Sequence, residues 1–291
     1  MEGMLQDYVK KGYLESDFKM FYLSDGEPKE YENHYHEFDK IIILLKGKVS
    51  YVVEGRAYEL LPYDIVFVGH HDIHRLRVES GHIYERIIIY IAPEFLAKYQ
   101  GDSYCLNNCF VIAKKEQTNV LRITNLSKSK VYHTVMDIKS NLHPANKHEK
   151  YAHDFYLQLL FLEFMVHLNR ACIGEKVVYI NTSVYNQKVI DILDFINANL
   201  AEEINIETLA NKFYMSKYHM MRSFKEETGY TIGNYISNKR LLYAKELILS
   251  GMPITQACFA CGFKEHSTFS RAFKNLFLES PRQMKKNINK N

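Results

Sequence analysis

Over the first hundred residues apolar positions alternate with polar ones or gather in short runs, at Phe18 to Leu23, Lys40 to Leu45, Val49 to Val53, Ala57 to Leu61, Ile65 to Val68, His74 to Val78 and Arg86 to Ile91. A period of two in runs this short predicts β-strands. Lys46-Gly47, Glu54-Gly55, Pro62-Tyr63-Asp64 and Gly81 separate them as turns. Strands of this length and spacing predict a small antiparallel barrel or jelly roll. The period then becomes helical. Ser127 to about Leu142 predicts one helix, and Tyr151 to Arg170 a second. The second has a broad apolar surface of Phe155, Leu159, Leu160, Leu162, Phe164, Met165 and Val166, broken by Asp154, Gln158, Glu163, His167 and Arg170. Such width suits burial on two sides. Glu175 to Asn186 reads as a linker.

Beyond the linker one plan occurs twice: an apolar helix start, a tight turn, then an arginine two residues ahead of Phe-Lys. In the first copy Asn205 caps a helix from Ile206 to about Phe213, Ser216 caps a second from Lys217 to about Thr228, and Gly229 ends it. The second copy starts its first helix at Pro253, closes it at Gly262, and has a second helix from about His266 to Leu276. Ile206 to Phe224 is 18 positions and Ile254 to Phe273 is 19, so the second turn has one extra residue. Two such units read as two helix-turn-helix modules. A helix from Gly233 to Ser250 joins them and spans about 27 Å at ~1.5 Å per residue. That is a little under the ~34 Å between successive major grooves on one side of a duplex.

In this reading Arg222, assisted by Tyr218 and His219, and Arg271, assisted by His266 and Ser267, reach base edges, each arginine bidentate to a guanine. Lys217, Lys225, Arg240 and Lys274 are expected on phosphates. Charge agrees: from Tyr185 onward fifteen Lys and Arg stand against ten Asp and Glu, whereas the rest of the chain is slightly acidic. The basic excess lies in the half with the repeat, as expected for a partner of double-stranded DNA.

These residues carry a family resemblance over about 100 positions. Ile254, Gly262-Phe263, Phe269-Ser270-Arg271, Phe273-Lys274 and Ser280-Pro281 fall at the signature spacing of AraC/XylS-type transcription regulators, and Arg240-Leu241 with Ala244 resembles their connecting helix. Ala257-Cys258 and Leu278 depart from the pattern. The last stands where the family usually has Gly, at a turn that favours a positive φ.

In the first half, His34-Tyr35-His36-Glu37, then Gly47, Pro62, Asp64 and His74, resembles the cupin barrel that serves many such regulators as a sensor. His34 and His36 share one strand face, and His74 is placed to meet them across the barrel. Metal-dependent cupins add a carboxylate four or five residues after the second His, where this chain has Lys40 and Ile41. Three readings stand: a metal-free pocket whose histidines bind a ligand, satisfied core histidines, and a metal held by His34, His36 and His74. Tyr35, Tyr51, Tyr58 and Tyr84 are candidates to stack on a sugar ring, and Arg75 or Arg86 to hold its hydroxyls or a carboxylate. The expected ligand set is His34, His36, Tyr51, Tyr58, His74 and Arg86, with no cofactor. The resemblance implies a sugar or sugar derivative as effector, a homodimer formed through the central helices, transcription activation and RNA polymerase as a further partner.

Composition narrows the rest. The longest apolar runs, Ile41 to Leu45 and Ile87 to Ala92, are too short to cross a bilayer. A cytoplasmic protein with no membrane partner is therefore expected, and five cysteines point to free thiols. Cys258 and Cys261 form a C-x-x-C but lack further ligands nearby, so they read as core packing. Gly-rich phosphate loops, nucleophile elbows and spaced carboxylate pairs are missing, and an enzyme is not expected. The sequence thus predicts an α+β chain in three parts. These are a cupin-like antiparallel barrel at 1–112, a helical dimerisation and linker segment at 113–184, and an all-α DNA-binding domain with two helix-turn-helix modules at 185–291. Together they describe a ligand-responsive regulator, an activator of carbohydrate-utilisation genes. The alternatives are a metal-dependent cupin enzyme fused to a DNA-binding domain and an architectural DNA-binding protein without effector.

Overall fold

The computed structural model describes residues 14, 16–26, 32–79, 81–143, 151–182 and 186–288. They form two compact units, one on each side of the stretch 183–185, which lies outside the described residues.

The first unit holds strands β1 (Phe18–Asp25), β2 (Asp39–Lys46), β3 (Val49–Val53), β4 (Arg56–Leu60), β5 (Ile65–Val68), β6 (His74–Val78), β7 (Tyr84–Ile91), β8 (Gln100–Gly101), β9 (Tyr104–Cys105), β10 (Val120–Ile123) and β11 (Val177–Tyr179). One antiparallel sheet has the order β1-β7-β2-β5-β10-β11 and a second the order β4-β3-β6; β8 and β9 form a separate short hairpin. Two glycines set the turns. Gly47 takes φ 130° where a Cβ would come within 2.8 Å of the Ile83 carbonyl, and Glu54-Gly55, both at positive φ, make the two-residue turn of the β3–β4 hairpin.

Strand parity divides the larger sheet into two cores. Ile42 and Leu44 of β2, with Tyr84 and Ile88 of β7, pack with Tyr51, Val53 and Tyr58 of the second sheet in the barrel interior. Ile41, Ile43 and Leu45 with Ile87, Ile89 and Ile91 face the other way, under helices α1 (Asn108–Lys115), α2 (Lys130–Leu142) and α3 (His153–Ile173). Burial on both faces is why these two segments read as unbroken apolar runs.

The expected linker is partly a strand. β11 pairs with β10, which pairs with β5, so Val177–Tyr179 closes the edge of the sheet. The barrel therefore extends past residue 112 and takes both strands from the segment expected to be helix and linker. Helix α3 buries Leu160, Phe161, Phe164, Met165 and Leu168, whereas Phe155, Tyr156 and Leu159 of its first turns are exposed. The expectation of burial on two sides thus fails for the start of this helix.

The second unit contains α4 (Gln187–Ala198), α5 (Ile206–Lys212), α6 (Lys217–Thr228), α7 (Ile232–Leu249), α8 (Ile254–Ala260), α9 (His266–Phe277) and α10 (Pro281–Ile288). The caps are those the residues call for: Asn205 accepts from the Thr208 N–H, Ser216 from that of His219 and Thr231 from that of Asn234. Gly229 ends α6 at φ 79°. The α8–α9 turn is one residue longer than the α5–α6 turn. Helix α7 serves both modules. Its Tyr235 meets Phe224 edge to face at 5.5 Å, while Leu241, Ala244 and Ile248 pack with Ala257, Cys258, Cys261, Phe269 and Phe273. All five cysteines are free, and burial pushes the Cys261 thiol up to about 12, which suits packing and not thiolate chemistry.

Candidate functional site

Helices α6 and α9 are built alike. Phe224 and Phe273 are fully buried and fix each helix by one face. On the opposite face Tyr218, Arg222 and Lys225 in α6, and Ser267, Arg271 and Lys274 in α9, recur at i, i+4 and i+7, and all six are exposed. His219 and His266 are exposed beside them. Each helix thus presents a polar group, an arginine and a lysine in a row that a major groove can accept. In the free protein Arg222 donates through Nε to Glu226 Oε1 at 2.8 Å, and Lys217 pairs with Glu207 at 2.7 Å.

Arg240 makes contacts within the protein. Its Nε donates to the Leu200 carbonyl at 2.7 Å and its Nη2 to the carbonyl of Glu202. A Cβ on Gly262, which stands at φ 91°, would meet the Leu200 carbonyl at 2.6 Å and Arg240 Nε at 2.9 Å. The half-buried guanidinium fastens α7 to the loop after α4, beside the α8–α9 turn, so in the free protein two of its N–H groups are engaged within the domain.

The barrel brings the three histidines together. His34 pairs with His74 through both backbone N–H groups, at 3.1 and 2.9 Å. Ring centroids lie 4.3 Å apart for His34 and His74, 4.9 Å for His36 and His74, and 5.1 Å for His34 and His36. All three are buried. His34 Nδ1 lies 2.8 Å from the Glu32 carbonyl and His74 Nδ1 3.0 Å from that of Asp72. A carbonyl only accepts, so each Nδ1 carries the proton and each Nε2 keeps its lone pair. Burial, with Lys40, His34 and His36 adding to it, holds His74 well below the usual imidazole range.

One nitrogen of each ring lies within 4.8 Å of the others, a donor set that suits a divalent transition metal in number and type. The remaining group does not suit it. Lys40 Nζ, at the sequence position where metal-dependent cupins have a carboxylate, stands 3.5 Å from His36 Nε2 and adds a donor that competes with a metal for that lone pair. A three-histidine metal centre is disfavoured by that amine.

Lys40 shares the parity of Ile42 and Leu44 and so points into the barrel; burial, then the charge of Arg86, pushes its amine down to about 7. Sequence reasoning noted Lys40 only as a departure from the metal pattern. Its strand parity was the signal that places it inside. Tyr51 lies fully buried, its ring nearly parallel to that of His74 at 6.0 Å and 12°. Tyr90, also missed, has its ring 5.9 Å from Lys40 Nζ.

Two expected ligand groups are engaged elsewhere. The Tyr58 hydroxyl donates to Asn119 Oδ1 at 3.3 Å and accepts from the Asn119 N–H at 3.0 Å, fastening β4 to the segment before β10. Arg86 is held by Asp25 at 2.6 Å, donates to the Tyr84 carbonyl and lies 4.1 Å over the Tyr84 ring. Its charge is already countered.

Known proteins match along most of the chain. A model of the AraC-like ligand binding domain matches residues 18–156, and a helix-turn-helix domain model matches residues 209–287. The HTH-type transcriptional activator RhaS of Klebsiella pneumoniae is 25% identical over 259 residues, covering 88% of this chain and 87% of its own. RhaS of Mannheimia succiniciproducens is 23% identical over 286 residues, covering 97% and 100%. Among solved structures, ToxT of Vibrio cholerae with an unsaturated fatty acid bound covers 94% of this chain and 97% of its own, at 15% identity and a TM-score of 0.38.

Proposed function

We propose that this chain, which belongs to the AraC-type ligand-responsive transcription regulators, activates carbohydrate-utilisation genes when a sugar or sugar derivative binds its N-terminal barrel. The observation that carries the DNA-binding half is the matched placement of Arg222 and Arg271, each two residues before a buried Phe on an otherwise exposed helix face. In this reading the two arginines read bases, with Tyr218, His219, His266 and Ser267 beside them, and Lys217, Lys225 and Lys274 hold phosphates. The activator role and the sugar class are supported by relatives named as transcriptional activators and by the barrel's resemblance.

His34, His36, His74 and Tyr51 form the sensing cluster in this proposal. The protein works in the cytoplasm as a homodimer that presents two pairs of reading helices and engages RNA polymerase. The exposed Phe155, Tyr156 and Leu159 on α3 form the face assigned to the second copy. Among the described residues no helix is long and apolar enough to cross a membrane. Effector binding shifts the population of protomer arrangements, a coupling free energy between barrel and DNA.

The test is a promoter fused to a reporter in cells that make the protein, grown on a panel of carbohydrates. The wild type is expected to respond to at least one of them. His36→Ala and His74→Ala should lose that response while purified protein still binds the promoter. A wild-type response that both variants retain would move the sensing site elsewhere.

A further inference from the structure

Among the described residues, nothing answers the charge of one cation in the barrel interior, Lys40. Lys40 is only 6% exposed, and its neighbours are His36 Nε2, the Tyr90 ring and the like charge of Arg86. Among the described residues no carboxylate lies within ion-pair reach of it; Asp25 is bound to Arg86, and Asp39 accepts from the backbone and Nδ1 of His70. A buried ammonium without a counter-charge costs free energy, so burial favours the neutral amine here, and an anion bound beside it would favour the charged form. In the same core the Tyr51 hydroxyl, whose ring stacks on that of His74, and His74 Nε2 lack hydrogen-bond partners although fully enclosed, as does Nε of the ion-paired Arg86. Buried polar groups are seldom left so, and a water, an ion or a ligand is the usual partner.

The three groups differ in what they seek. The ammonium of Lys40 and the hydroxyl of Tyr51 donate, and both suit an anionic oxygen. His74 Nε2, whose ring proton is fixed on Nδ1 by the Asp72 carbonyl, accepts and suits a hydroxyl. The nearest positive charge is wrong for a metal ion and right for an oxyanion.

We propose that the effector is an acidic sugar, a carboxylate or phosphate on a polyhydroxylated skeleton, whose anionic group is received by Lys40 and Tyr51 and one of whose hydroxyls is received by His74. The proposal rests on the sensor reading above and names its ligand class. Arg86 is excluded as the main receiver because Asp25 already neutralises it.

The test is thermal melting of the full chain against matched probes: glucose with glucuronate, gluconate and glucose 6-phosphate, galactose with galacturonate and galactonate, and zinc or nickel as metal arms. The wild type is expected to be stabilised by at least one acidic probe and not by its neutral partner. The carboxylate and phosphate arms show which oxyanion is used. Lys40→Met should weaken that binding roughly 30-fold or more, and Lys40→Arg should retain part of it.

Without probe, Lys40→Met should melt at or above the wild-type temperature, since it removes an unanswered buried charge. Melting well below wild type would show that the fold itself pairs Lys40 and would overturn the proposal. Equal stabilisation by a neutral sugar, kept in Lys40→Met, would overturn the acidic class while leaving the sensor reading intact. Stabilisation by stoichiometric metal that disappears in His36→Ala would make the site a cation site. No shift with any sugar probe would overturn the acidic-sugar assignment and the carbohydrate reading together.

Discussion

Arg222 and Glu226 lie one helical turn apart on α6 and are joined by a 2.8 Å hydrogen bond, with both side chains mostly exposed. The carboxylate holds the arginine on the surface assigned to DNA and adds a negative charge there. Glu226→Gln should therefore tighten binding to cognate DNA, chiefly through association rate, with the gain shrinking as salt rises. Fluorescence anisotropy at two salt concentrations checks this. Weaker binding would mean that Glu226 positions Arg222 for its base and does not compete for it.

Lys217, Lys225 and Lys274 should each reduce the dependence of log K on log salt by about one unit when changed to Ala, with the preferred sequence unaltered. Arg240→Ala should behave differently. Two backbone carbonyls lose their donor, so stability should fall by about 1–3 kcal/mol while the salt slope of the folded protein stays at the wild-type value. Denaturant titration alongside salt-dependent binding separates the two effects.

Leu278 stands at φ 60° and is 87% exposed, so its side chain gains little burial in return for a left-handed backbone. Leu278→Gly should raise stability by up to about 1 kcal/mol, the relief of strain exceeding the greater unfolded-state freedom of glycine. A lower melting temperature would show that the leucine contributes packing that its exposure does not suggest.

Phe155, Tyr156 and Leu159 project from the start of α3, the assigned dimer face. Phe155→Glu with Leu159→Glu should convert a dimer into a folded monomer, read by sedimentation velocity and circular dichroism. An unchanged sedimentation coefficient would remove this face from the interface.

Features set by neighbours in sequence were legible. Asn205, Ser216 and Gly229 mark helix ends within a turn of themselves, and the Glu54-Gly55 hairpin follows from its own two residues. Leu278 was marked by the resemblance to a family that usually has Gly at that turn, and it stands at φ 60°. Features set by distant partners were not. Val177–Tyr179 is too short to signal a strand and Val120–Ile123 stands apart from the alternating stretch; what makes them strands is pairing with β5 and with each other across long separations. The bonds of Arg240 to the Leu200 and Glu202 carbonyls were not legible, because backbone acceptors carry no side-chain signature. The histidine cluster was legible by spacing, but the engagement of the Tyr58 hydroxyl by Asn119 depends on a segment 61 residues away.

Sequence-specific reading by two separate helices can be measured by selecting DNA from a random pool with the wild type, Arg222→Ala and Arg271→Ala, and sequencing what each retains. The wild type should enrich sites with two preferred blocks about one helical turn apart, ~10 base pairs. Each variant should lose preference within a different block and bind the wild-type site roughly 10- to 100-fold more weakly. Failure of the wild type to enrich any sequence, or loss of the same block in both variants, would contradict a two-headed reader.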